Sequence, residues 1–455
     1  MIFSLRTFLD HLRQRRGLYT VKKPVHPKFE LGAILKKTRG AVPILFEKVV
    51  GHSVPIVGGI CGSRECLALA LGCRREDLIP RIVEAITRPS HTITVDRAPA
   101  HENILTSGID IGKLFPIPTF HEKDSAPFLT AGLTVAKDPV LGRRFSSIRR
   151  MQLNGPNNLG ILIESPGLLD QYHEFERLGK PLPLAIVLGV HPILTLSSQL
   201  PTQTFGLDKM NVASALAGEP VPMVKCRTID LEVPAESEIV LEGNMVPRVR
   251  HSEGPFGELM GYYGPQTQQP IVEVKAVTYR DNPVMPVVFP SSDEHKLPGA
   301  LMRELVLSNH VRHIVPFVKD VYITTNGGGR CHAFIAIRKT VEGQGKEAIF
   351  AALASNKDVK LAVVVDEDVD VFSLDEIEWA IATRVQADQD VIIIPGAQGT
   401  SLEPSHTLRG VSAKMGIDAT YPLSEKERFQ KARIPGYENI RLEDYLVLTE
   451  QGELR

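Results

Sequence analysis

Ala131-Gly-Leu-Thr-Val-Ala136, Leu159-Gly-Ile-Leu-Ile163, Leu184-Ala-Ile-Val-Leu-Gly-Val190, Ile239-Val-Leu241 and Ile271-Val-Glu-Val-Lys-Ala-Val277 decide how this chain is read. Each run is short, apolar and rich in β-branched residues, and Gly, Pro or Asn separates it from its neighbours, which is the pattern of strands. Many short strands crowded into residues 116–296 need a way to avoid exposed edges. A closed or half-closed barrel supplies it. One helix interrupts them: Ser165 can cap it, Pro166 suits its first turn, and Leu168, Leu169, Tyr172, Phe175 and Leu178 form one apolar face.

On either side the texture changes. Residues 1–115 alternate helix and strand patterns. Ile2, Leu5, Phe8, Leu9 and Leu12 fall at helical spacing, Leu78–Ile86 reads as a helix stopped by Arg88-Pro89, and Thr92–Val95 reads as a strand. Residues 297–312 form a linking helix with Leu301, Leu305, Leu307 and Val311 on its apolar face. From 313 to 455 the strand runs Val321–Thr324 and Leu361–Val365 alternate with helical text, and Ser373-Leu-Asp-Glu376 is a capping box. That alternation predicts a C-terminal α/β domain, ending in a Pro- and charge-rich arm. The expectation is therefore a multidomain α/β protein around a central β-barrel.

Composition narrows the function classes. The chain has 455 residues, with 52 basic and 53 acidic ones for a net charge of −1, so no basic field draws it to nucleic acid or anionic lipid. No apolar run reaches the roughly 18 residues a membrane span needs, and the N-terminus lacks the pattern of a signal peptide. The cysteines, Cys61, Cys66, Cys73, Cys226 and Cys331, are odd in number and contain no CxxC pair. A reducing cytoplasm suits them better than a disulfide framework.

Three patches carry candidate chemistry. Arg149-Arg150 ends the strand-like run Phe145-Ser-Ser-Ile148, and adjacent strand residues face opposite ways, so one arginine can face a cavity. Glu253-Gly-Pro-Phe-Gly-Glu258 brackets a glycine- and proline-bearing turn with two carboxylates, and paired carboxylates beside an arginine push their pKa values apart. Ser197-Ser-Gln-Leu-Pro201 with Asp208 offers hydroxyls, backbone and a carboxylate to a phosphate–metal unit. Each patch has a plainer reading, as a salt-bridged strand arginine, a solvated turn or an ordinary loop. Taken singly, none separates an enzyme from another soluble protein.

Together, the motifs carry a resemblance. Glu253-Gly-Pro-Phe-Gly-Glu-Leu-Met-Gly-Tyr262, Phe115-Pro-Ile-Pro-Thr-Phe-His-Glu-Lys-Asp124, Thr130-Ala-Gly132, Ala136-Lys-Asp-Pro139, Val224-Lys-Cys226, Val233-Pro-Ala-Glu-Ser-Glu238 and Lys414-Met-Gly-Ile-Asp-Ala-Thr420 resemble the UbiD decarboxylases, in order and across nearly the whole chain. The resemblance implies an N-terminal α/β region, a split β-barrel like that of flavin reductases, a linking helix and a C-terminal α/β domain that mediates oligomerisation as a homodimer or homohexamer. It implies reversible, non-oxidative decarboxylation of an unsaturated or aromatic acid through a covalent adduct with prenylated FMN, a cofactor made by a flavin prenyltransferase.

Carried over by position, Arg150, Glu253 and Glu258 match the family's catalytic set. Arg150 would hold the substrate carboxylate or pair with Glu253, and Glu258 would give the proton that replaces CO₂. Ser147, Ile148, Arg149, Ser198, Gln199, Asp208 and Lys357 match cofactor-binding positions, and Asp208 stands where the family places a metal-binding glutamate, which implies Mn²⁺ and K⁺ as the metals. The family's other metal ligands fall at Phe145 and near Gly167, which cannot bind a cation through their side chains. Asp208, backbone carbonyls and the phosphate would then hold the metal, or Arg149, Arg144 or Lys357 would neutralise the phosphate without one. His295 and Arg303 are similar to a pair in members acting on furan-2,5-dicarboxylate, with pyrrole-2-carboxylate enzymes close by. A helix-capping histidine and a surface arginine are the plainer alternative. The competing functions are an ordinary FMN reductase and a non-catalytic flavin-binding subunit.

Overall fold

The strand text folds into Phe128–Lys137, Arg144–Leu153, Asn158–Ile161, Leu182–Leu188, Ile239–Glu253 and Thr267–Tyr279 in the computed structural model, which describes residues 3–138, 142–163, 166–201, 206–406 and 408–446. All six pair antiparallel, and the Ile239–Glu253 strand bonds both Leu182–Leu188 and Thr267–Tyr279, closing the sheet into a barrel. The register runs through Ile239↔Leu188, Leu133↔Val187, Leu133↔Ile148, Gln152↔Gly160 and Val272↔Leu159. The closing strand is long enough to bend because it carries two bulges.

The strands are apolar at consecutive positions because both barrel faces are covered. Leu184, Ile186 and Leu188 point into one core, and Ala185 and Val187 into another shared with the N-terminal helices. That second core holds Leu5, Phe8, Leu9 and Leu12 of the Leu5–Gln14 helix, which Ser4 caps through Thr7 N. Ile2 and Ser165 lie outside the described residues. The helix after Ser165 spans Pro166–Arg177, so Leu178 falls past its end and is exposed, while Leu168 and Tyr172 are buried.

The linking helix runs Asp293–Ile314, longer at both ends than the expected 297–312. Pro298 makes a start near Leu297 the natural sequence reading. The helix nonetheless begins before it, because Ser292 Oγ accepts from His295 N at 3.2 Å. This helix packs through Leu297 and Leu301 on the barrel side and through Leu307 and Val311 on the C-terminal side.

Beyond it, five strands order as Val318–Ile323, His332–Ile337, Leu361–Asp366, Val411–Ala419 and Val391–Gln398, with helices Gln344–Ser355 and Leu374–Arg384. Ser373 caps the second helix through Glu376 N, but Glu376 turns to Asp370 N, so only half of the predicted box forms. The arm after Thr420 makes short 3₁₀ turns and leaves Ile434, Tyr437, Leu442 and Tyr445 exposed. No helix among the described residues is long and apolar enough to cross a membrane.

Candidate active site

The Arg144–Leu153 strand delivers Arg150 to the inner end of a cavity of about 260 Å³, together with Ile148 and Arg149. Arg150 Nε and Nη2 donate to Glu253 Oε1 and Oε2 at 2.8 and 2.9 Å, a two-pronged pairing that only a guanidinium makes. Its Nη1 contacts Glu258 Oε1. Glu253 is fully buried behind the arginine, whereas Glu258 is on the cavity wall. Burial works against the charge on Arg150, but the Glu253 bonds and both carboxylates outweigh it and hold the guanidinium above the ordinary arginine range.

The sequence between the two glutamates sets their spacing. Gly254 has φ +85°, and a Cβ there would lie 2.9 Å from Pro265 O. Phe256–Gly257 then pairs with Tyr263–Gly264, and Phe256 lies under the guanidinium, 4.8 Å from ring centre to Cζ.

The linking helix forms the facing wall. His295 is on the cavity wall, its ring open to the cavity. Burial, with Arg330, Lys296 and Arg150 nearby, pulls its pKa down to about 3, so the imidazole is neutral. Its Nδ1 accepts from Ser291 N at 3.2 Å, which leaves the proton on Nε2 as a donor.

Arg303, two turns on, donates to Gly299 O at 2.9 Å. A Cβ on Gly299 would sit 2.8 Å from its Nη1. Burial and Arg330 pull the Arg303 pKa down to about 10. Arg303 and Arg330 each lie 3.5 Å from the same oxygen of Asp358. Two guanidinium charges against one carboxylate leave this end of the cavity net positive.

Of the remaining expected residues, only Gln199 reaches the cavity wall. Gln199 is on the wall and bonds Ser198 Oγ at 3.1 Å, while Ser198 donates to Thr195 O at 2.6 Å. Ser147 is on the same strand, its carbonyl accepting from Thr134 Oγ1 at 2.8 Å. Asp208 caps the Lys209–Ala217 helix through Met210 N at 2.9 Å and takes Arg144 Nε at 2.8 Å. Lys357 is half exposed and 3.8 Å from Asp358, away from the wall.

Of three residues that the sequence did not mark, Arg330 and Glu294 line the cavity and Lys209 lies behind its wall. Buried Lys209 donates from Nζ to Ser146 O at 2.9 Å and Ser198 O at 2.7 Å, and burial with Arg149 nearby lowers its pKa to about 8. Arg330 follows the Gly327–Gly329 turn. Glu294 accepts from Gly59 N and Cys61 N at 2.6 and 3.0 Å, and burial pushes its pKa up to about 7. In text a lysine, an arginine after a glycine turn and an acid between Asp293 and His295 all look like surface residues.

Cofactor fit follows from these donors. A cavity lined by half-buried Arg149, with buried Lys209 behind it, suits a phosphate-bearing flavin. A divalent metal fits poorly. No three His, Cys, Asp or Glu side chains converge among the described residues, Asp208 is committed to Arg144, and the Phe145 ring fills the space where a Cβ of Gly167 would be, 2.6 Å away.

Barrel, linking helix and an arginine clamped between two glutamates over a shared cavity define a carboxy-lyase site of the flavin-barrel type. Comparison with known proteins bears this out along the chain. Models of the 3-octaprenyl-4-hydroxybenzoate carboxy-lyase N-terminal, Rift-related and C-terminal domains match residues 9–86, 92–293 and 296–419, and the chain belongs to this UbiD family of decarboxylases.

It is 35% identical to anhydromevalonate phosphate decarboxylase of Methanothermobacter thermautotrophicus over 94% of this chain and 99% of that one. The UbiD-class enzyme HmfF from Pelotomaculum thermopropionicum in complex with FMN superposes with a TM-score of 0.95 at 46% identity, covering 97% of this chain and all (100%) of that one. An evolved dimeric form of HmfF in complex with prenylated FMN gives 0.91 at 43% identity, covering 98% and 100%. The chain is a UbiD-type carboxy-lyase, and the reductase and non-catalytic readings give way.

Proposed function

We propose that this chain reversibly decarboxylates furan-2,5-dicarboxylate or a related furan or pyrrole acid, using prenylated FMN held along the Ile148–Arg149 strand. One observation carries the substrate class: a neutral His295 donor and an unbalanced Arg303–Arg330 pair share a cavity with the Arg150–Glu253–Glu258 cluster. A substrate with an anionic group at each end meets a guanidinium at each end.

The bound cofactor supplies the electron sink that loss of CO₂ from an sp² carbon lacks. The protein does the rest. Arg150, fixed by Glu253, orients the departing carboxylate. His295 Nε2 donates to the ring heteroatom or to the second carboxylate, and Arg303 holds that carboxylate. Glu258 delivers the proton that replaces CO₂. Ser147, Ser198, Gln199 and Lys209 would line the flavin and its phosphate, with Asp208 and Lys357 in supporting positions further out.

A second reading has its own support, since relatives bear the name anhydromevalonate phosphate decarboxylase and two guanidiniums also suit a phosphate ester. Co-expression with a flavin prenyltransferase, followed by CO₂ release from furan-2,5-dicarboxylate, 2-furoate, pyrrole-2-carboxylate and a phosphorylated unsaturated acid, separates the two. Arg303→Ala is expected to raise KM for the dicarboxylate on the order of tenfold or more, and for 2-furoate little, because only the former loses a charge-assisted bond. Equal effects on both acids, or turnover of the phosphorylated acid alone, would defeat the furan assignment.

A further inference from the structure

A second chamber, of about 470 Å³, lies on the far side of Glu258. It shares Glu258, Pro290 and Lys296 with the reaction cavity, so the Glu258 carboxyl sits in the wall between them. Gly264 makes this possible, since a Cβ there would stand 2.8 Å from Glu258 Oε1. Tyr262 and Tyr263, which also line the chamber, are exposed, so it opens to solvent, and Arg150 meets Glu258 from the reaction-cavity side.

His121 is in this chamber, packed against Gly257, the residue before Glu258. A Cβ on Gly257 would fall 2.4 Å from His121 Nδ1. Asp124 organises the corner. Its buried carboxylate accepts from Gly257 N at 3.0 Å and His121 N at 2.8 Å, and it lies 3.6 Å from His121 Nδ1. The ring is held edge-on to Tyr263 and 5.4 Å from Phe289.

We propose that His121 is the proton relay that recharges Glu258 from solvent through this second chamber. The inference rests on the reading that Glu258 is the acid. Each turnover converts R–COO⁻ and one proton into R–H and CO₂. The Glu258 O–H proton goes to the carbon that loses CO₂, leaving a carboxylate. The His121 imidazolium passes its Nε2 proton, through chamber water, to that carboxylate, and the neutral imidazole takes a proton from solvent. Of the other charged groups facing the chamber, Arg39 is tied to Asp293 at 3.1 Å and to Asn326, and Lys36 is at the open rim. Lys296, on the shared wall, is the other candidate carrier, and the experiment includes it.

The test uses holoenzyme co-expressed with a flavin prenyltransferase, measuring flavin content, KM, kcat and the solvent deuterium isotope effect, with and without imidazole. His121→Ala is expected to lose kcat on the order of tenfold or more, to keep KM and flavin, to show a larger isotope effect, and to recover when imidazole enters the vacated space. His121→Asn keeps a polar atom facing Asp124 and is expected to show the same loss, which guards against a failure of the alanine variant to load flavin. Undiminished kcat in both variants, a loss that imidazole does not repair, or a buffer-repaired loss in Lys296→Met instead overturns the relay. Glu258→Gln reports separately: turnover in that variant would remove the acid itself, whatever His121 does.

Discussion

Arg150 is where the charges of the site are balanced. Glu253 spends both oxygens on Nε and Nη2 and has no face on the cavity, so it serves as a fixed counter-ion. Glu258 meets Arg150 Nη1 and stands on the walls of both chambers. Glu258→Gln keeps an oxygen for Arg150 but cannot carry the proton that the proposed role requires. Turnover is expected to fall about 10²–10⁴-fold with bound flavin unchanged, read by CO₂ release and absorbance. Undiminished turnover removes Glu258 from proton delivery. These three residues were legible through the motifs that resemble the UbiD decarboxylases, whereas the residue pattern alone left Arg149 and Arg150 undivided. Lys209 and Arg330 were not legible, because burial turns an ordinary cation into a site cation and burial is not written locally.

The linking helix sets the other wall, and its first turn is anchored by an acid. Glu294 is fully buried on the backbone N–H groups of Gly59 and Cys61, yet desolvation wins and its pKa rises from 4.5 to about 7. A carboxyl whose folded pKa is raised favours folding while protonated. Its contribution is complete below the unfolded value near 4.5 and is lost as pH rises to about 7. The total is on the order of 3 kcal/mol. Thermal unfolding of the wild type should lose Tm between pH 5 and 7.5 more steeply than Glu294→Gln, which cannot titrate. Parallel curves would show that Glu294 does not carry this dependence. The helix itself was visible in the spacing of Leu301, Leu305 and Val311, but its start was not, since Pro298 hid the cap at Ser292.

At the scale of the molecule, the barrel, the linking helix and the C-terminal sheet must hold one cavity between them. A buried pair ties them together. Arg64 of the N-terminal region meets Glu304 of the linking helix at 2.5 Å, and Glu304 also takes Ile323 N at 2.9 Å from the C-terminal sheet. The guanidinium lies 5.4 and 5.2 Å from the rings of Tyr322 and Phe372. Removing one partner strands a buried charge, so Arg64→Ala is expected to cost about 3–5 kcal/mol in denaturant unfolding. Arg64→Met with Glu304→Leu should recover most of it. A double variant no more stable than Arg64→Ala would mean that packing, not charge, holds the junction.

The sequence alone determined the element types, the barrel, and the arginine with its two glutamates, because strand periodicity, turn residues and a short motif are local properties of the chain. Only the tertiary structure decided that His295 is neutral, that Arg303 and Arg330 share one carboxylate, that Phe145 occupies the space beside Gly167, and that Glu258 stands between two chambers. Each of these depends on which distant segments meet and how much water they exclude, and desolvation and charge pairing are set by that meeting rather than by neighbours in the chain.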